Sequence, residues 1–259
     1  MKDSNMTFMG GRYGTWLTET GVWVIATKNV FCYLLVGTEK ALLIDTAYGK
    51  GDLRKIVEEI TKLPVIVVNT HTHYDHSGGN AFWPEVWAGA GGEKDAVRNK
   101  KLPHPDYRLN ALTDGQVFEL GGRSVRCLSI GAHHPSSFAF LDEQHRNLFV
   151  GDEIDPGQVL LNVRGDSAKT KDILRCHAAN MKKLLGIAEC YDRIYPAHNG
   201  TPVSKTYVED FLALSEKMLT DGISPCETIG GYGLPPMAFG GDRKMLRYRY
   251  GNASFITAK

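Results

Sequence analysis

The sequence lacks three features that would each have assigned it to a different class of protein. It has no charge excess, because 30 lysine and arginine residues against 29 aspartate and glutamate residues give a net charge of +1. A nucleic-acid-binding protein usually carries a basic face, so this balance argues against a nucleic-acid partner. No apolar run approaches the roughly 18 residues of a membrane span, and residues 1–14 lack the apolar core of a signal peptide. We therefore expect a cytoplasmic protein without membrane association.

Paired cysteines are also missing. The five cysteines are odd in number, widely spaced and without a CxxC pair. This pattern fits reduced thiols of the cytosol better than a disulfide framework. None lies in a setting typical of a nucleophile, so we interpret them as packing residues. They are Cys32, Cys127, Cys176, Cys190 and Cys226.

What the sequence does contain is enough apolar residues for a folded core, since 42% of its 259 residues are hydrophobic. Apolar runs between turn residues predict strands, and apolar residues at helical spacing predict helices. Without a linker or repeat, we expect one layered α/β domain over residues 1–259, with 222–259 as a C-terminal lid or edge extension. The predicted strands are 22–27, 31–36, 41–45, 65–69, 116–120, 123–130, 137–141, 148–150 and 193–195. The predicted helices are 50–62, 93–99, 169–185 and 203–220.

The segment His-Thr-His-Tyr-Asp-His at residues 71–76 carries the most specific chemical signal. It begins where the apolar strand 65–69 ends. Residues two apart on an extended backbone point the same way, so His71 and His73 face one point. Asp75 and His76 follow in a turn, where they face a second point nearby. Histidine nitrogen and carboxylate oxygen are the ligands of catalytic zinc, so the segment predicts a metal site.

Further donor residues follow other predicted strands. His133 and His134 follow strand 123–130, Asp152 follows strand 148–150, and His198 follows strand 193–195. Each position alone is a weak signal, since a single histidine after a strand is more often structural. Their recurrence is stronger, because sheets gather such strand ends into one crevice.

The order and spacing of these donor residues resemble those of the metallo-β-lactamase superfamily. Its HxHxDH motif matches residues 71–76, its next histidine matches Gly-Ala-His-His-Pro-Ser-Ser at 131–137, its Gly-Asp pair matches Gly151-Asp152, and its last histidine matches His198. The resemblance covers about residues 20–200. It implies a four-layer αββα sandwich of two mixed β-sheets flanked by helices.

The resemblance also implies two cations, zinc or else iron or manganese. One departure concerns the third motif, where many members have Pro-Gly-His-Thr-Pro-Gly. Counting back from Pro135 selects His133 as the ligand and places His134 where threonine is usual, so His134 remains the alternative. The implied first site is His71, His73 and His133, the implied second site is Asp75, His76 and His198, and Asp152 bridges them.

Other polar residues have two interpretations each. Asp45 ends strand 41–45 and either supports a ligand histidine, as a similar aspartate does in relatives, or forms a turn. His145 and His177 have no metal-like context and are expected to be structural or solvent-facing. His104 lies in a proline-rich loop, 101–111, that is a candidate for the substrate mouth.

The implied function is metal-dependent hydrolysis of a small carbonyl substrate: a thioester, lactone, ester or lactam. Two zinc ions would share a water and lower its pKa, so that hydroxide attacks the carbonyl, with Asp75 orienting it and moving a proton. The alternatives are a small-molecule phosphodiesterase, a mononuclear iron persulfide dioxygenase and a non-catalytic binding module. A monomer or a homodimer is expected.

Loops around the crevice are expected to select the substrate. Phe82, Trp83 and Trp87 follow the ligand motif and form either an apolar wall or packing against the sheet. The candidate loops are 81–87, 99–112, 155–166 and 222–242.

Overall fold

The computed structural model describes residues 7–9, 13–27, 29–92, 107–161, 169–229 and 244–259. The chain forms two compact units, one of residues 1–129 and 136–150 and one of residues 130–135 and 151–259. The predicted helix 93–99, His104 and most of the loop 222–242 lie outside the described residues. The single-domain organisation and the lid role of the C-terminal extension stay predictions.

The first unit contains a mixed sheet whose strands, in its described part, number eight and follow chain order. The first four pairings are antiparallel and the last three are parallel. Parallel neighbours need crossover connections, and helix α1 (Leu53–Ile60) supplies the first. The strands are β1 Thr7–Met9, β2 Tyr13–Leu17, β3 Val22–Ala26, β4 Phe31–Val36, β5 Ala41–Ile44, β6 Val65–Val68, β7 Glu85–Ala88 and β8 Arg108–Ala111.

The described strands of the first unit that follow β8 form an antiparallel meander, in which each strand pairs with the next. The last two are buried along their whole length, which makes them part of the core. Between them a 3-10 turn, Glu143–His145, ends at Arg146 in the left-handed region and completes a hairpin. The strands are β9 Val117–Glu119, β10 Ser124–Ser129, β11 Phe138–Asp142 and β12 Asn147–Gly151.

The second unit combines two packed helices with short strands. Helices α3 (Thr170–Leu185) and α4 (Thr206–Leu219) bury apolar faces that include Leu174, Met181, Phe211 and Leu214. Another short helix, α2, lies in the first unit at Tyr74–Ser77. No described helix is both long and apolar enough to cross a bilayer. The second unit's strands are β13 Val159–Leu161, β14 Arg193–Pro196, β15 Val203–Ser204, β16 Glu227–Ile229, β17 Met245–Tyr250 and β18 Ala253–Ala258.

Several sequence predictions are wrong at strands that lack a strong period. The predicted loop 101–111 ends in β8, the loop 155–166 contains β13, and the predicted helix 203–220 begins only at Thr206. Backbone pairing with strands elsewhere in the chain defines these elements, and such pairing leaves little trace in local composition. The packing role predicted for the cysteines also fails for Cys176 and Cys226, which are exposed free thiols.

Two glycines hold the segment after the donor motif close to the end of β5. A Cβ atom on Gly78 would lie 2.4 Å from the carbonyl carbon of Tyr48, and one on Gly79 would lie 2.5 Å from the carbonyl oxygen of Thr46. Real Cβ atoms do not approach backbone so closely, so no other residue fits without a shift.

We predict that Gly78→Ala lowers the free energy of unfolding by about 1–3 kcal/mol, because the added methyl forces two backbone segments apart. The matched control is Gly186→Ala, since Gly186 has helical φ and a Cβ there would meet nothing closer than 3.4 Å. Urea unfolding of both variants measures the difference. Equal stability of the two variants would contradict the close approach.

Candidate metal centre

The donor motif of the first unit begins shortly after β6 and runs into helix α2. The Nε2 atom of His71 and the Nδ1 atom of His73 face each other at 2.9 Å. Two nitrogens that are each about 2.0–2.1 Å from one zinc ion lie about 2.9–3.4 Å apart. The extended backbone predicted here therefore brings these two side chains together as a metal site needs.

His76 is the buried member of the same cluster. Its ring lies 4.0 Å from the ring of His71, centroid to centroid, and its Nε2 atom is 3.8 Å from Oδ1 of Asp75. His76 is fully buried, whereas the Asp75 side chain is 28% exposed. Of these two donors, Asp75 is therefore the one that solvent or a substrate reaches.

Asp45 fixes the orientation of His76. Its Oδ2 atom is 2.9 Å from His76 Nδ1, and its two oxygens accept hydrogen bonds from the backbone N–H and the hydroxyl of Thr70, each at 2.7 Å. A carboxylate accepts only, so the His76 proton lies on Nδ1 and the lone pair on Nε2. Of the two interpretations of Asp45, the structure supports the one in which it holds a donor histidine.

Asn69 and Asn80 also position this segment, and sequence analysis missed both. Asn69 Nδ2 donates to the carbonyl oxygen of His76 at 3.0 Å, and the two amide side chains bond to each other at 2.8 Å. The hydroxyl of Thr46 donates to Asn80 Oδ1 at 2.8 Å. These residues are buried. Nothing in the local sequence distinguishes them from ordinary loop asparagines.

The second unit holds the other three predicted donors, with His133 and His198 on either oxygen of Asp152. Its Oδ2 atom is 3.6 Å from His133 Nε2, and its Oδ1 atom is 3.3 Å from His198 Nε2. A backbone hydrogen bond from Ala197 N–H to the carbonyl oxygen of Gly151, at 3.1 Å, joins the loop of His198 to the loop of Asp152. Each carboxylate oxygen thus faces a different histidine, which is the arrangement of a carboxylate that bridges two cations.

His133, not His134, carries its ring into this cluster. His133 Nδ1 donates to the carbonyl oxygen of Leu160 at 2.8 Å, which places the lone pair on Nε2, the atom facing Asp152. A metal-bound histidine usually donates its other nitrogen in this way. The geometry therefore agrees with the register counted back from Pro135.

The remaining predicted positions have structural contacts. His177 is buried between Ser215 Oγ at 3.1 Å and the carbonyl oxygen of Glu153 at 2.9 Å. His145 lies 2.9 Å from Asp142 in the hairpin. Trp83 is buried, and Trp87 packs edge-on against Phe118, which favours packing over an apolar wall for these two.

Each unit thus holds histidine and aspartate side chains whose donor atoms lie between 2.9 and 3.8 Å apart, close enough for neighbouring donors to bind one divalent cation. The donor types do not choose between zinc, iron and manganese.

Comparison with known proteins identifies the family. A family model described as the metallo-beta-lactamase superfamily matches residues 26–219, well over half of the chain. This chain belongs to the metallo-β-lactamase superfamily. The resemblance read from the donor motifs is therefore confirmed.

Relatives of this superfamily member include two curated hydrolases. It is 27% identical over 156 residues to an atrochrysone carboxyl ACP thioesterase from Claviceps purpurea, which is 58% of this chain and 46% of the relative. It is 30% identical over 134 residues to a hydroxyacylglutathione hydrolase from a Synechococcus species, which is 51% of this chain and 52% of the relative. The chain spans about half the length of these relatives.

A solved structure supports the fold. A metallo-beta-lactamase from Pontibacter korlensis matches 82% of this chain and 98% of its own length, with a TM-score of 0.58 and 21% sequence identity. At this identity the likeness concerns the fold alone. The predicted α/β class, with mixed sheets and flanking helices, is confirmed.

We predict that Asp45→Asn weakens zinc binding about 10–100-fold, because an amide does not hold the Nδ1 proton of His76 as a carboxylate does. Zinc titration against a chromophoric chelator measures the change. The control is Asp52→Asn, since Asp52 caps helix α1 through Lys55 N–H and has no contact with a donor histidine. A wild-type affinity in Asp45→Asn would show that His76 is not oriented through Asp45.

A further prediction concerns the free energy of unfolding at acid pH. Burial lowers the pKa of His177 to about 4, below the ordinary value of about 6.5 in the unfolded chain. Between pH 4 and pH 6.5 the unfolded state binds more protons than the folded state. The contribution of His177 to the free energy of unfolding is therefore full above pH 6.5 and is lost as the pH falls toward 4. The loss amounts to about 3 kcal/mol.

The comparison uses metal-free wild type and His177→Gln, unfolded in urea between pH 4 and pH 8. We expect the difference in stability between the two proteins to shrink by about this amount as the pH falls. A difference that stays constant over the range would show that His177 is not kept neutral by the fold.

Proposed function

We propose that this protein is a metal-dependent hydrolase that uses two divalent cations, zinc first among them, to cleave a small thioester. The observation that carries the proposal is the position of Asp152, whose two oxygens face the Nε2 atoms of two different histidines. A single-cation site needs no such bridging carboxylate. Membership of the superfamily supports the same conclusion.

The proposed ligand set is the one that the donor order of the superfamily implies for this chain. Catalytic zinc takes three protein ligands and leaves a position open. The order of donors along the chain matches the ligand order of the superfamily. The proposed first site is His71, His73 and His133, the proposed second site is Asp75, His76 and His198, and Asp152 bridges the two.

Cations in these positions would supply Lewis acidity, both to lower the pKa of a water toward about 7 and to polarise a carbonyl. The chain itself supplies the proton transfers. Asp75, partly exposed beside buried His76, would orient the attacking water and accept its proton. The water oxygen adds to the acyl carbon, the carbon–sulfur bond breaks, and the thiolate leaves with the electron pair and takes the proton.

A thioester is the proposed substrate class within the wider carbonyl group of thioesters, lactones, esters and lactams. The relative from Claviceps purpurea is named a thioesterase, and the relative from Synechococcus is named a hydrolase of an acylated glutathione. A thiol has a pKa of about 8.5, so its thiolate leaves with little help from an acid. One partly exposed carboxylate, Asp75, is enough for that proton.

We predict that zinc-loaded protein hydrolyses S-acyl glutathione or an acyl-coenzyme A, that a chelator abolishes the activity, and that zinc restores it. Asp75→Ala removes a donor and the proton acceptor together, so kcat should fall at least about 100-fold with loss of one bound zinc ion. The control is Asp172→Asn, an exposed first-turn residue of α3.

A panel that includes lactones, β-lactams and phosphodiesters tests the other substrate classes in the same assay. Iron content with oxygen uptake on glutathione persulfide would identify a dioxygenase instead. A protein that purifies metal-free and takes up no cation would contradict the proposal and favour a binding module. A cytoplasmic location and a monomeric or homodimeric state stay predictions.

A further inference from the structure

The segment that follows Gly151 carries two acidic residues besides Asp152. Glu153 is fully buried and Asp155 is 2% exposed. A buried carboxylate is costly unless hydrogen bonds compensate for the water it loses. Neither residue belongs to the proposed ligand set, so their hydrogen bonds indicate what they do.

Glu153 binds the loop that carries His133. Its Oε1 atom accepts hydrogen bonds from the backbone N–H groups of Ala132 at 2.9 Å, His133 at 3.0 Å and His134 at 3.5 Å. Three successive N–H groups therefore converge on one carboxylate oxygen, and such charge-assisted bonds are stronger than neutral ones. Glu153, the residue after the proposed bridging ligand Asp152, thus holds the backbone of His133.

The main chain of Glu153 is itself anchored to the helices. His177 Nε2 on α3 donates to the Glu153 carbonyl oxygen at 2.9 Å, and His177 Nδ1 accepts from Ser215 Oγ on α4 at 3.1 Å. Since a carbonyl oxygen only accepts, the His177 proton lies on Nε2. A continuous chain of hydrogen bonds thus runs from two packed helices through Glu153 to the His133 loop.

Asp155 makes the corresponding contact with the loop that carries His198. Its Oδ1 atom accepts from Asn199 Nδ2 at 2.8 Å and from the backbone N–H groups of Gly157 and Gln158. Asn199 has a φ of 58°, in the left-handed region, directly after His198. Gly157 allows the approach, because a Cβ there would lie 2.5 Å from Asn199 Nδ2.

We propose that Glu153 and Asp155 are positioning residues that hold His133 and His198 on the two sides of Asp152. This inference rests on the proposed function, because it assigns a purpose to the spacing of three proposed ligands. One four-residue stretch, 152–155, then supplies the bridging ligand and both anchors. Ligand geometry must be held within about 0.5 Å, and groups that orient ligands commonly change metal affinity 10–100-fold.

The test measures cation binding to wild type, Glu153→Ala, Glu153→Gln, Asp155→Ala and Asp155→Asn, with Glu143→Gln as the exposed control. Zinc affinity and stoichiometry come from chelator competition, and the visible spectrum of Co²⁺-loaded protein reports ligand geometry. Urea unfolding of the metal-free proteins measures stability separately. Hydrolase activity is not needed for any of these measurements.

The alanine variants should lose about 10–100-fold in affinity, with an altered Co²⁺ spectrum. Glu153→Gln and Asp155→Asn should lose only several-fold, because the amide oxygen still accepts the N–H bonds without the added charge. If an alanine variant does not fold, the amide variants Glu153→Gln and Asp155→Asn provide the test. A several-fold loss of zinc affinity with an altered Co²⁺ spectrum in them supports the inference.

Lower stability with wild-type affinity and spectrum in these variants would overturn the inference, since the two acids would then only stabilise the fold. Failure of wild type to take up either cation is a different result, because it would overturn the proposed function.

Discussion

The proposed metal centre depends on hydrogen bonds that buried carboxylates accept from the donor loops. Asp45 holds His76, and Glu153 holds the backbone of His133. A buried carboxylate without partners is strongly unfavourable, so each is stable only with its loop in place. The loops gain a fixed geometry from the same bonds. The fold itself therefore contributes to the position of the donor atoms.

The donor clusters of the two units are built differently. In the first unit the donors are close in sequence, so a strand end and one short helix, Tyr74–Ser77, place them locally. In the second unit they come from three distant loops, and their arrangement depends on cross-loop contacts such as Asp155 with Asn199. Local geometry is sufficient for His71 and His73, whereas His133 and His198 require the tertiary fold.

The residues proposed to carry out hydrolysis differ from those expected to select the substrate. The donor residues are the part of the chain proposed to carry out hydrolysis, and the relative named a thioesterase supports the proposed substrate class. We expect the surrounding loops to select the substrate, as in other folds that carry their sites on connecting segments.

The sequence alone determined the family and the strands that lead to the donors, and it predicted His133 over His134 as a ligand, because these follow from spacing and period. It left Asp45 undecided and did not reveal Glu153, Asn69 or the strand Arg108–Ala111. Only the tertiary structure decided these, because their partners lie on other elements of the chain. A buried acid and an exposed acid look the same in a sequence, and only the packing around them shows which loop they hold.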